Sequence, residues 1–236
     1  MTKLAPIAAL ALRTYLRYLV PLTLLSAIAL APWWLVALGT PVPPDAANAK
    51  RAVRLGWMLA GSAWIGQLVL VGGAAPLVRA LDAPDSSGAA ISQLRAFGRG
   101  FVSLARAIVP GLAVAAAVVM GSMALVLPGL ALLVLLSLTA ASTRRGLPAP
   151  LADSVEVVRQ NLALVAGVVA AMIAIDLAIA FATNQLTLPT LPKKPKAEQL
   201  ALYRQHVHIV AGALVVVGPL FAALLAAIHT RGSKPS

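Results

Sequence analysis

The chain has 236 residues, 60% of them hydrophobic and 11% charged, with a mean hydropathy of +0.90. A soluble domain needs roughly a quarter of its residues charged to dress its surface, so this composition excludes a soluble globular protein and points to an integral membrane one. The net charge of +12 lies in short basic groups between apolar runs, which favours anionic lipid headgroups over nucleic acid as the partner; the lack of cysteine excludes disulfides, thiolate metal sites and cysteine nucleophiles.

Residues 1–31 have the outline of a signal peptide, with Lys3, an apolar stretch and the small pair Ala29 and Ala31. Arg13 and Arg17 interrupt that stretch and Pro32 follows it, which predicts an uncleaved first span. In chain order the apolar runs predict six spans, at 19–38, 57–78, 101–125, 128–142, 162–181 and 207–229. Helices are the expected form, because only helices or closed barrels satisfy the backbone in lipid and these runs lack strand alternation. Residues 107–142 are almost continuously apolar, and about 36 helical residues would measure roughly 54 Å. Such a rod overshoots a bilayer, so "LVLPGL" at 125–130 is the expected fold-back, leaving a short fourth span. Residues 40–54 and 183–196 are rich in proline and polar groups and read as exposed loops. Ser86 or Ser87 and Asp153 are candidate N-caps of helices leading into the third and fifth spans.

A nine-residue segment recurs. "LRTYLRYLV" at 12–20 and "LRAFGRGFV" at 94–102 share four identities and an aromatic exchange, and "SVEVVRQNL" at 154–162 is a fainter third copy that keeps Arg159. Each copy precedes an odd-numbered span, so the chain reads as one integral membrane domain over 1–236, built of three hairpin units at about 1–80, 81–145 and 146–236. The expected fold is an all-α, polytopic helical bundle in which a short amphipathic interfacial helix precedes each hairpin. Residues four apart share a helix face, so Arg13 with Arg17, and Arg95 with Arg99, form cationic edges, while Tyr15, Tyr18, Phe97 and Phe101 are expected at headgroup depth. These arginines, with Arg159, are the candidate lipid-headgroup anchors. On this topology Lys3, Arg13, Arg17, Arg79, Arg95, Arg99, Arg106, Arg144, Arg145, Arg159, Arg231 and Lys234 fall on one side, against Lys50, Arg51, Arg54, Lys193, Lys194, Lys196 and Arg204 on the other. The excess predicts both termini in the cytoplasm of a bacterial inner membrane.

Residues 125–167 carry Leu127, Pro128 and Gly129 opening a helix, then Ser154, Arg159 and Asn161 in an amphipathic segment before the next span. In this they resemble the membrane domains attached to some bacterial glycerophosphoryl diester phosphodiesterases and the related YciC-like membrane proteins. The connector "TRRGLPAP" departs from the apolar-acidic stretch usual in that family. The resemblance implies a helical membrane module without catalytic residues, because the diesterase activity of such fusions belongs to a separate soluble domain.

Asp176, in "AAMIAIDLAIAFA", is the acid set well inside an apolar run, where an ionisable group is costly and by default a functional hypothesis. Arg204 and His208 enter the next span from the same side, and either is a candidate partner for it. His206 and His208, about 200° apart on a helix, do not suit one metal, and no metal or cofactor is expected. Gln67, among the small residues Gly61, Ser62, Gly66, Gly72 and Gly73, predicts close helix packing with one polar bond. The basic loop "LPTLPKKPK" suits lipid phosphate, an acidic partner or plain solvation. The leading expectation is a non-enzymatic membrane scaffold or a module binding lipid or a membrane protein partner. A small transporter using Asp176 and Gln67 comes second. A lipid-active enzyme, which requires an acid and a histidine to converge at headgroup depth, is third.

Overall fold

A computed structural model describes residues 4–39, 64–83, 92–124, 126–144, 146, 148–187 and 197–232, all of them helical or in short connections. The loop expected at 40–54 lies outside the described residues, as do 188–196, Ser86 and Ser87, whereas residues 183–187, expected in the second loop, are the end of a helix.

Helix α1 (Leu4–Arg17) buries Ile7, Leu10, Ala11 and Thr14, the i, i+3, i+4, i+7 stripe of an amphipathic helix, and ends on Arg17, a cation suited to a helix C-terminus. Helix α2 (Leu19–Gly39) follows at once, and the two axes differ by 88°. Tyr18 stands at this corner with 1% of its surface exposed: it is a core residue, not the headgroup-depth aromatic its position in the repeat suggests, because the bend turns its ring inward against the bundle. Tyr15 also faces inward, its hydroxyl donating to the Val216 carbonyl at 3.1 Å.

Helix α3 (Trp64–Asp82) is the centre of the bundle: residues 67–75 are all buried, and it packs against α2, α4 (Gln93–Ala124) and α8 (Ala197–Gly232). Small residues make this crowding sterically feasible. A Cβ on Gly72 would collide with Ala107 and lie 2.9 Å from the Ala140 carbonyl oxygen, and one on Gly66 would lie 3.0 Å from the Ala29 carbonyl. Gly100 and Gly111 of α4 meet Leu25 and Val69 just as tightly.

The apolar stretch after residue 107 divides as expected. Helix α5 (Val126–Leu136) starts with Pro128 in its first turn and runs back along α4; a Cβ on Gly121 would lie 3.3 Å from the Gly129 backbone. Its 11 residues rise only about 16 Å, and a turn and a 3-10 segment (Thr139–Ala141) complete the leg. Ser154 defines that end: its hydroxyl donates to the Leu135 carbonyl at 2.8 Å and accepts from the Leu138 N–H at 3.2 Å, satisfying groups the helix terminus leaves unpaired. Helix α6 (Pro148–Gln160) supplies Ser154 and begins at a proline, which fits a first turn. Asp153 is therefore inside α6 and is not its N-cap. Helix α7 (Leu162–Thr187) follows a break at Asn161, whose amide donates to the Val157 carbonyl.

Four segments, Trp64–Asp82, Gln93–Met123, Leu162–Ile179 and His208–Gly232, are long and apolar enough to cross a membrane, and α1 with α2 makes a fifth if taken as one bent span. The window of α3 is 61% buried and that of α7 only 17%, which separates a central helix from a peripheral one. The three repeat copies share sequence but not backbone. The first straddles the bend into α2 and the third straddles the break into α7, whereas the second runs straight inside the 32-residue α4.

Substituting alanine at Gly72 and at Gly98, which has nothing within 4 Å of a Cβ, should give opposite results. Thermal unfolding in detergent should show Gly72→Ala destabilised by about 1–3 kcal/mol through overpacking, and Gly98→Ala unchanged or raised by about 0.5–1 kcal/mol through reduced unfolded-state entropy.

Candidate functional site

Polar side chains gather at two levels of the bundle. At the first level, four helices meet around Gln67 of α3. Its side-chain amide, 2% exposed, donates to Asp176 Oδ1 of α7 at 3.3 Å, so the acid in the apolar run is tied to the central helix. Among the described residues Gln67 Oε1 has no partner, and neither has the buried hydroxyl of Ser26 on α2. A Cβ on Gly218 of α8 would lie 3.6 Å from both Ser26 Oγ and Gln67 Cγ, so the two unpaired groups face the same small residue.

His208 is engaged elsewhere: its Nδ1 accepts from the Trp34 indole N–H at 2.8 Å, with the rings 5.9 Å apart. The structure thus brings together Gln67 and Asp176 and pairs His208 with Trp34. The side chains of Arg204 and His206 lie outside the described residues. Sequence spacing favoured a partner on the neighbouring hairpin leg, but the bond comes from Gln67 of α3, 109 residues away in the chain.

At the other level, the C-terminal ends of α3 and α8 meet the 139–146 turn and α6. Asp82, at the end of α3, puts a negative charge where the helix dipole disfavours one, and Arg231, from the last turn of α8, answers it through Nε at 3.0 Å and Nη2 at 2.8 Å. Arg79, one turn earlier, donates to the Ala141 carbonyl at 3.0 Å. Asp153 holds His229, with Nε2 donating to Oδ2 at 3.0 Å, and lies 3.7 Å from Arg144. Burial raises the Asp153 carboxyl, but hydrogen bonds from Ser142 and His229 and the charges of His229 and Arg144 outweigh this and leave its pKa below the ordinary carboxylate value. None of these contacts was read from the sequence. The signals were present, since Asp82 and Asp153 each lie within a helical turn's reach of an apolar end, but which basic residue would answer them depends on how the helices cross.

This pair supplies the acid and histidine that a lipid-active enzyme would need. The His229 side chain is only 8% exposed and the Asp153 side chain 13%. Among the described residues no three of His, Cys, Asp and Glu group as a metal site requires.

The anchor arginines behave differently from these buried pairs. Arg13, Arg95, Arg99 and Arg159 are exposed and Arg17 is half-buried, each lying on a helix whose other face packs into the bundle. Gln93 Nε2 donates to the Arg17 carbonyl at 2.8 Å, which ties the first repeat copy to the start of α4 beside the second. Phe97 and Phe101 stack with centroids 6.0 Å apart, and Phe101 is exposed.

No family model, no curated protein and no solved structure matches this chain.

Because the Asp153 pKa is depressed in the folded state, its contribution to stability is present above the ordinary carboxylate pKa and is lost as pH falls through the folded value. Asp153→Asn should therefore cost about 1–3 kcal/mol at neutral pH, read as a lower unfolding temperature in detergent. The gap between variant and wild type should close below roughly pH 4; a gap that persists there would show that the carboxylate charge is not what holds the contact.

Proposed function

We propose that this chain is a non-enzymatic integral membrane module, a scaffold that engages anionic lipid and, through the same surface, a membrane protein partner. The observation that carries the proposal is the outward display of Arg13, Arg95, Arg99 and Arg159 on helices whose opposite faces are packed, with the first two copies joined by the Gln93 bond to Arg17. An exposed cation near a surface of anionic lipid contributes on the order of 1 kcal/mol to attraction, so several on one end act together. In this proposal the chain forms six spans in three hairpins, with α5 and its 3-10 extension as the short fourth. The basic end faces the cytoplasm of a bacterial inner membrane. Such a module agrees with the likeness of residues 125–167 to the YciC-like and phosphodiesterase membrane domains.

Replacing Arg13, Arg17, Arg95 and Arg99 together by Gln tests this in nanodiscs of mixed phosphatidylcholine and phosphatidylglycerol. The variant should lose the enrichment of phosphatidylglycerol around the protein and insert in mixed orientation. Unchanged lipid enrichment and unchanged orientation would remove the anchoring role.

A second function has one specific observation in its favour. Among the described residues Ser26 Oγ and Gln67 Oε1 are buried without partners, both beside Gly218, and the Gln67 amide reaches Asp176; unpaired polar atoms near an intramembrane acid suit a small polar solute or proton pathway. In proteoliposomes with equal insertion, transport would appear as proton or solute flux that Asp176→Asn abolishes. Absence of flux in both proteins, with the variant less stable, would assign Asp176 to the bundle's architecture.

A further inference from the structure

A cavity of about 540 Å³ opens at the basic end between α3, α4 and the 139–146 turn, lined by Arg79, Arg106, Arg144, Ser103, Thr139 and Ser142 among others. It presents three guanidinium groups and several hydroxyls, and among the described residues no acidic one lines it. The two acids nearby are committed, Asp82 to Arg231 and Asp153 to His229 and Arg144. Arg79 spends one N–H on the Ala141 carbonyl, and Arg144 is only 3.7 Å from Asp153, so both retain donors. Arg106 is exposed and forms no ion pair among the described residues.

Thr139 provides an independent sign of a ligand. It lines the cavity, is 1% exposed, and its hydroxyl is buried with no hydrogen-bond partner among the described residues. A buried hydroxyl left unpaired costs on the order of 1–3 kcal/mol unless something supplies the bond. The remaining wall is apolar, with Ala107, Val109 and Pro110, and it continues onto an outer face of α4 where Val102, Ile108 and Val109 are 51%, 46% and 60% exposed. Arg106 lies seven residues beyond Arg99, about 10 Å further along the helix, so the cavity sits deeper in the bundle than the anchor arginines of α4.

We propose that this cavity binds one phosphate ester, the headgroup phosphate of an anionic phospholipid, with Arg79, Arg106 and Arg144 as charge partners and Thr139 as a neutral donor. Planar guanidinium groups suit phosphate oxygens through paired N–H donors, and the apolar lip accepts the start of an acyl chain. The proposal rests on the basic end facing lipid, yet it is distinct from the diffuse attraction of Arg13, Arg17, Arg95 and Arg99, because it predicts one retained lipid and not a crowd.

Native mass spectrometry of the full chain released from phosphatidylcholine nanodiscs with and without phosphatidylglycerol tests the site. The wild type should retain one phosphatidylglycerol per chain. Arg106→Gln should lower that retention about tenfold, while Arg106→Lys should keep part of it. Thr139→Val, which removes only an unpaired hydroxyl, should lower retention several-fold without lowering the unfolding temperature, a combination a purely structural threonine would not produce. The fourfold anchor variant should still retain its single lipid, so loss of bulk enrichment and loss of the site are read separately. Millimolar inorganic phosphate should not displace the lipid; displacement would show a site for free phosphate and overturn the lipid assignment. Retention by Arg106→Gln and Thr139→Val equal to the wild type would overturn the site itself.

Discussion

The arrangement of this bundle depends on how closely α3 approaches its neighbours. In lipid the tails are as apolar as leucine, so helices gain little by hiding apolar surface from one another; close contact between backbones, dispersion and a few polar bonds must supply the association. Gly66, Gly72, Gly100 and Gly111 provide that contact, each at a point where a side chain would strike the facing helix. From this approach the polar contacts follow. With Gly72 against Ala107 and Ala140, Arg79 reaches the Ala141 carbonyl two turns on, and at the other level Gln67 meets Asp176.

The ionic chemistry is divided between the levels. Seven acidic residues face nineteen basic ones in the whole chain, so most cations cannot be neutralised internally. Two of the acids, Asp82 and Asp153, are spent on contacts that fasten the C-terminal helix to α3 and α6. They hold residues 229–232 beside Val157 and Asn161, where a Cβ on Gly232 would lie 2.7 Å from the Asn161 amide. Among the described residues, Arg13, Arg95, Arg99 and Arg159 are displayed at the surface and Arg79, Arg106 and Arg144 line one cavity, so basic chemistry dominates this end.

The helices were legible because hydropathy is a one-dimensional property: a run of about twenty apolar residues predicts a helix whatever it packs against, and the expected apolar runs fall on helices over their described residues, four of which, or five with the bent α1–α2 pair, are long and apolar enough to cross a membrane. The small residues of α3 also indicated close packing in advance, and Gln67 does make its polar bond. What sequence could not supply was the neighbour across each contact. Asp176 was matched with Arg204 or His208 by nearness along the chain, yet Gln67 lies 109 residues away and His208 is taken by Trp34. Tyr18 looked interfacial because it stands beside the arginines of the first repeat copy, but an 88° bend that no single residue announces turns it inward. Asp153 suggested a helix start, and its carboxylate instead serves a histidine 76 residues on.

That bend also bears on the depth at which the molecule floats. If α2 stands along the membrane normal, α1 lies in the membrane plane, with Leu4, Leu12 and Leu16 outward and Ile7, Leu10 and Ala11 against the bundle. A helix lying flat at one leaflet resists vertical displacement in both directions, because sinking buries Arg13 and rising strips its leucines of lipid. Such a helix would moor the protein at one face, and any difference between its apolar height and the bilayer's would be taken up at the opposite face. Changes in membrane thickness would then be felt first where the short α5 begins, and least where the arginines sit.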